Sequence, residues 1–286
     1  PVPNSPGHVM YVWVDALTTY MTGVGFPNQE GEWARYWPAD VHLIGKDIVR
    51  FHAVYWPAFL MSADLPLPRQ VFGHGFLLAR GEKMSKSLGN VVDPMDLADR
   101  YGVDQLRYFL LREISFGQDG SYSAEAIVNR ANSELANSFG NLAQRSLSMI
   151  FKNLGGIIPQ AGEAMEDKAL LAEVEEGCAT LEREFDRFSF STGLEAWMAA
   201  VFACNAYVDT MAPWALRKSD PERMAAVLGT LVVAMRKLAV AVRPVVPTSA
   251  EKLIALIDSG EGGGPIAQPT PIFPRLELPE DEEAAA

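Results

Sequence analysis

Apolar positions fall in two rhythms along this chain, and the second takes over after REI at residues 112–114. In the first part, DVHLIG (residues 40–45) and QVFGHGFLL (70–78) have the length and composition of buried strands. Between them DIVRFHAVYWPAFLMSA (47–63) has a helical period, with a kink expected at Pro57. Strand, crossover helix and strand in that order predict a right-handed parallel unit of a doubly wound α/β sheet. Such sheets bind ligands beyond the carboxyl ends of their strands. Gly45, Lys46 and Asp47, and the segment after Leu78, therefore occupy candidate site positions.

The second part is purely helical. A helix is predicted from Ser123, a suitable N-cap, to a stop at Gly155-Gly156, with Ile127, Ala131, Leu135, Leu142, Leu147 and Ile150 as its apolar stripe. Further helices are expected at 168–188, 192–211, 221–242 and 250–257, the third with Pro221 at its first position. Short connections between amphipathic helices predict an antiparallel bundle. The tail PEDEEAAA is expected to fray in solvent.

Size and charge sharpen this picture. A chain of 286 residues exceeds the size at which one core usually keeps growing, which favours more than one unit. A net charge of -12 argues against a general polyanion binder but leaves open a structured RNA read at a few points. Cys178 and Cys204, both in helical patterns, support neither a disulfide framework nor a cysteine zinc site, and point to a reducing, cytoplasmic setting. There is no run of eighteen apolar residues and no signal-peptide pattern, so a soluble protein without a membrane partner is expected. The opening PVPNSPGHVMY reads as a proline-rich linker inside a longer protein, hence a fragment or cleaved product.

One loop stands out chemically. GEKMSKSLGN (81–90) sets Lys83 and Lys86 around Met84 and Ser85, with Ser87 following and Gly81 and Gly89 at the margins. Glycines allow such a loop to swing, and two ammonium groups with hydroxyls between them suit a phosphate chain whose charge grows during reaction. It is not a P-loop, because no glycine directly precedes the lysine and no helix pattern begins there. Read from composition alone, such a lysine-rich loop is more often a solvated surface loop.

The string KMSKS, after the last strand of an α/β unit and before a helical domain, resembles the second signature of class I aminoacyl-tRNA synthetases. YVWVDALTTY (11–20) and HLIGKDIVRFHAVYWPAFL (42–60) resemble the methionyl-tRNA synthetases, and the likeness covers nearly all of the chain. It implies α/β followed by all-α: a partial Rossmann-type parallel sheet (1–80, the carboxyl half of a catalytic domain), the KMSKS loop with a connecting helical segment (81–122), and a helix-bundle anticodon-binding domain (123–286). It implies L-methionine, ATP with Mg2+ and tRNA(Met) as partners. Lys83, Met84, Ser85, Lys86 and Ser87 would hold the triphosphate and stabilise departing pyrophosphate. Trp13, Ala16, Leu17, Tyr20, Ile48 and His52 would surround the methionine side chain, with weak polar contact to sulfur from Tyr20 and His52. Gly45, Asp47 and His74, with Lys86, would bind the nucleotide. Without the likeness, Trp13 and His52 read as ordinary core, Asp47 as a helix N-cap, and His74 as a core or strand-end residue.

The helical part carries its own candidates. Asn129, Ser133, Asn137, Asn141 and Arg145, four apart, line one slowly drifting helix face opposite the apolar stripe. Amides offer both donors and acceptors, as base edges require. Trp214 follows Pro213, where the preceding helix should end, and serves either as a platform for an unpaired base or as a cap on the bundle core. The resemblance implies an anticodon role for Asn137, Asn141, Arg145 and Trp214.

The family also requires a His-x-Gly-His element, and the histidines here are His8, His42, His52 and His74, none in such a motif. The expectation is an enzyme that joins methionine to its tRNA through a methionyl-adenylate. The missing amino-terminal segment would supply the rest of the site, so this chain alone would be inactive and hold no zinc site. The alternative is a noncatalytic tRNA-binding or assembly module derived from a synthetase.

Overall fold

A computed structural model describes residues 2–28, 30–79, 81–84, 91–115, 117–260 and 262–278. The expectations for Ser85, Lys86, Ser87 and the tail PEDEEAAA lie outside the described residues. The chain divides into two units, Pro1–Phe76 with Gly117–Asp119, and Leu77–Phe116 with Gly120–Ala286.

The first unit contains α1 (Trp13–Thr22), α2 (Glu32–Tyr36), β1 (His42–Gly45), α3 (Trp56–Ser62) and β2 (Val71–His74). β1 and β2 are parallel and in register from His42↔Val71 to Gly45↔His74, so the expected strand–crossover–strand unit is present. Its crossover is not one kinked α-helix. It begins as a 3-10 turn, Lys46–Ile48, widens to a π turn, Phe51–Tyr55, and only then becomes α3. Pro57 explains the form: in a regular helix its ring would strike the carbonyl four residues back, and the wider turn before it relieves that contact. The core packs Leu17 and Met21 of α1 with Trp33, Trp37, Trp56 and Leu60.

The run 70–78 is also not a single strand. β2 ends at His74, and β3 (Leu77–Ala79) belongs to the second unit. The break falls at Gly75, where any side chain would run into the Gln118 backbone. Apolar residues on both sides of the break made the two strands look continuous.

In the second unit β3 pairs antiparallel with β4 (Glu82–Lys83) and parallel with β5 (Gly120–Tyr122). α4 (Pro94–Tyr101) and α5 (Val103–Arg112) pack Leu97, Tyr101, Leu106 and Phe109 against Tyr122 and Ile127. The predicted long helix then starts at Ser123, whose hydroxyl accepts the Ala126 N–H at 3.1 Å. It runs through α6 (Ala124–Arg130), a π segment Ala131–Gly140, and α7 (Asn141–Asn153).

α8 (Met165–Asp186), α9 (Phe190–Met211), α10 (Pro213–Ser219), α11 (Pro221–Val242) and α12 (Pro247–Asp258) complete the bundle. α11 is long and apolar enough to cross a membrane, yet Val227, Leu228, Leu231, Met235 and Leu238 are buried and the helix contacts α7, α8, α9 and α12. α12 begins three residues before the expected 250 because the Asp104 carboxylate on α5 accepts the N–H groups of Thr248 and Ser249 at 3.3 and 2.6 Å. After α12 the extended segment 262–278 returns along the long helix. Ile266 donates to the Gly156 carbonyl, Phe273 meets Phe139, and the Asn132 amide bonds both backbone groups of Leu276 at 2.8 Å.

Candidate functional site

In the first unit α1 sets Trp13, Ala16, Leu17 and Tyr20 at spacings of three and four, on one face. Trp13 stacks on Phe51 with ring centroids 3.9 Å apart and meets His52 edge-on at 6.2 Å. Leu17 and His52 are buried, while Trp13, Ala16 and Ile48 are half-buried. His52 is held at both nitrogens: Nδ1 lies 2.9 Å from the Ile48 carbonyl and Nε2 lies 2.9 Å from the Tyr20 hydroxyl. A carbonyl only accepts, so Nδ1 carries the proton and Nε2 accepts from Tyr20. The two polar side chains thus bond one another, and the atoms left to face a thioether are the Tyr20 oxygen and ring edges.

His42, Phe51 and Trp56 complete this aromatic cluster and were not singled out from sequence. The Trp56 indole donates to His42 Nε2 at 3.2 Å, and the Tyr20 and His42 rings are 4.4 Å apart. Burial, with the nearby His52 second, pushes His42 below its ordinary pKa, and burial raises that of Tyr20. The alternation of His42 and Ile44, both inward on β1, was the available signal.

At the carboxyl ends of β1 and β2, Gly45 and His74 lie opposite one another in the strand register. The Asp47 carboxylate folds over Gly45, with Oδ1 2.7 Å from where a Cβ at position 45 would be, so a side chain there would displace the carboxylate. Asp47 is not a helix cap: Gly45 occupies that position and no side chain bonds the turn. His74 is exposed, its Nδ1 2.9 Å from the Gly75 carbonyl. Lys46, between the two candidates, forms an ion pair with Asp119 at 2.7 Å.

In the second unit Lys83 is part of a hairpin strand, paired with Leu78 across from β3, and not of a free loop. Gly81 makes the turn with φ +80. Lys83 is exposed and Met84 half-buried.

The long helix exposes Asn129, Ser133, Asn137, Asn141 and Arg145 and buries Ile127, Leu135, Leu142 and Ile150. The π segment helps the polar row persist. Four residues of α-helix overshoot a full turn by about 40°, whereas a turn closed five residues on takes up part of that drift. At the end of the row the Arg145 guanidinium lies 5.6 Å from the centre of the Trp214 ring and 3.4 Å from the Asp209 carboxylate. Ala212, in the left-handed region at φ 42, separates α9 from α10 and turns the half-exposed Trp214 onto this face.

Comparison with known proteins adds a family. The family described as tRNA synthetases class I (M) matches residues 1–147, and that described as the anticodon binding domain of methionyl tRNA ligase matches 158–266. The methionine–tRNA ligase of Brucella melitensis is 53% identical over 290 residues, covering 96% of this chain and 56% of the relative. That of Rhizobium meliloti is 52% identical over 296 residues, covering 98% and 57%. Among solved structures, Mycobacterium tuberculosis methionyl-tRNA synthetase in complex with methionyl-adenylate superposes with a TM-score of 0.87 at 51% identity, over 96% of this chain and 58% of that one. The chain thus spans about half the length of the curated relatives it matches.

Proposed function

Since the chain belongs to the methionyl class I tRNA synthetase family, we propose that, as part of a longer protein, it ligates L-methionine to tRNA(Met) through a methionyl-adenylate, consuming ATP and releasing AMP and pyrophosphate. The observation that carries this reading is the face of Trp13, Ala16, Leu17 and Tyr20 closed by Ile48 and His52, an apolar and aromatic lining suited to a thioether. A pocket that senses shape alone separates side chains differing by a methylene by only about 1–3 kcal/mol. The fixed Tyr20–His52 pair adds a polar element to that discrimination.

In this reading the methionine carboxylate attacks the α-phosphate and pyrophosphate departs, with no proton transferred in the step. The protein's task is therefore charge stabilisation and orientation. Gly45, Asp47 and His74 hold the nucleotide. Lys83, Met84, Ser85, Lys86 and Ser87 hold the phosphates, the lysines acting electrostatically and not as acid or base. Mg2+ enters as the counter-ion of the triphosphate oxygens. Asn137, Asn141, Arg145 and Trp214 read the anticodon. The free thiols Cys178 and Cys204 agree with a cytoplasmic setting.

The reading includes dependence on residues beyond these 286. The sequence holds no His-x-Gly-His element, and Val9, Met10, Tyr11, Val12 and Leu43 of the first unit are exposed. Lys86→Ala in the complete protein tests the assignment. Methionine-dependent ATP–pyrophosphate exchange is expected to fall about a hundredfold or more, the loss typical of a transition-state donor. Unchanged exchange removes the loop assignment. No exchange by the unaltered protein, with tRNA still bound, favours the noncatalytic module.

A further inference from the structure

Lys46 stands between two residues of the nucleotide end, yet its own side chain is already paired. Its ammonium lies 2.7 Å from Asp119 Oδ1 and 2.8 Å from Oδ2, and 5.1 Å from the centre of the Phe76 ring. An ammonium has three donors; two go to the carboxylate and the charge also faces an aromatic ring. Little capacity remains for a phosphate. Asp119 is engaged in turn, because Oδ1 also accepts the Phe76 N–H at 2.8 Å. The lysine first, and this N–H second, hold its carboxyl below the ordinary range, so Asp119 stays ionised at neutral pH.

The pair joins three segments that pack closely at two glycines, Gly75 against backbone and Gly73 against the Val49 side chain. A Cβ at Gly73 would lie 2.6 Å from Val49 Cγ2 and 3.7 Å from Lys46 Cα, and one at Gly75 would strike the Gln118 backbone. The turn after β1, the end of β2 and the segment Gly117–Asp119 thus meet through glycines, fastened by one ion pair 73 residues apart in sequence. Both side chains are more than a third exposed, and pairs of that kind add little to stability. Their value lies in position.

We propose that Lys46 and Asp119 are positioning residues for the nucleotide end of the site, holding the Gly45–Asp47 turn against the end of β2 so that the Gly45 backbone and the Asp47 carboxylate stand ready for the ribose and phosphates of ATP. The proposal rests on the functional reading above, in which Gly45, Asp47 and His74 bind the nucleotide. Neither Lys46 nor Asp119 touches the substrate.

The test uses the complete protein and methionine-dependent ATP–pyrophosphate exchange, with KM for ATP, KM for methionine, kcat and Tm measured for Lys46→Met, Asp119→Asn, the double variant and Lys46→Arg. Each single change is expected to raise KM for ATP about tenfold and leave KM for methionine and Tm unchanged, as loss of nucleotide binding alone requires. The double variant is expected to be no worse than the worse single one, because the two act as a unit. Lys46→Arg, which can also grip both carboxylate oxygens, is expected to keep activity. A much larger loss in Lys46→Met than in Asp119→Asn overturns the proposal and makes the lysine a direct phosphate ligand. Equal rises in both KM values with a fall in Tm overturn it in favour of a general structural prop. Absence of exchange in the unaltered protein defeats the functional reading itself, and this proposal with it; active wild type with the wrong variant pattern defeats this proposal alone.

Discussion

At the scale of the residue, the aromatic cluster of the first unit shows how hydrogen bonding assigns protons. Trp56 can only donate, so His42 Nε2 must be an unprotonated acceptor. Burial, with the nearby His52 second, disfavours the charged ring and lowers its pKa, and protonating that nitrogen would also break the bond from Trp56. The consequence for stability has a definite sign. Between the folded pKa and the ordinary 6.5, the unfolded chain binds more protons, so stability rises with pH. The contribution is complete above about 6.5 and is lost as pH falls through the folded value. Urea unfolding of the first unit, followed by tryptophan fluorescence from pH 7 to pH 5, is expected to show falling stability. His42→Gln, which keeps an acceptor but cannot titrate, is expected to flatten that slope. An equally steep slope in the variant would assign the effect to another group.

At the scale of the element, helix limits were set by two kinds of cap. Ser123 caps its own helix from the sequence position where a cap is expected, so the local sequence predicts where that helix begins. α12 takes its cap from Asp104, whose carboxylate arrives from a helix 144 and 145 residues away, and no local pattern reports it. Asp104 is buried, so removing it also leaves N–H groups of the first turn unmatched. Asp104→Ala is expected to cost about 1–2 kcal/mol, read by chemical denaturation as a lower midpoint with an unchanged slope. A loss under a few tenths would mean that water replaces the carboxylate. The same contrast applies to the crossover helix. Its apolar period was visible, but the π turn before Pro57 follows from a steric conflict that a period does not encode.

At the scale of the whole molecule, the proposed reading assigns amino acid activation to residues between 13 and 87 and anticodon reading to residues of the bundle between 137 and 214. Trp214→Ala in the complete protein is therefore expected to leave methionine-dependent pyrophosphate exchange nearly unchanged while aminoacylation falls by the equivalent of about 1–3 kcal/mol, the worth of one stacked base. Equal losses in both assays would mean that Trp214 supports the bundle instead. Sequence alone determined what depends on neighbours within a few residues. That includes the parallel strand–crossover–strand unit, the long helix with its buried stripe and exposed amide row, and the KMSKS string with its family. These are legible because helical and strand periods repeat at fixed short intervals. Only the tertiary structure decided where the run 70–78 breaks, that Lys83 lies on a strand, that His52 and Tyr20 bond one another, and that Asp119 meets Lys46. Apart from the Leu78–Lys83 pairing, those choices join residues far apart in the chain. They are made by packing, steric limits at glycines and the need to satisfy buried polar groups, none of which leaves a period in the sequence.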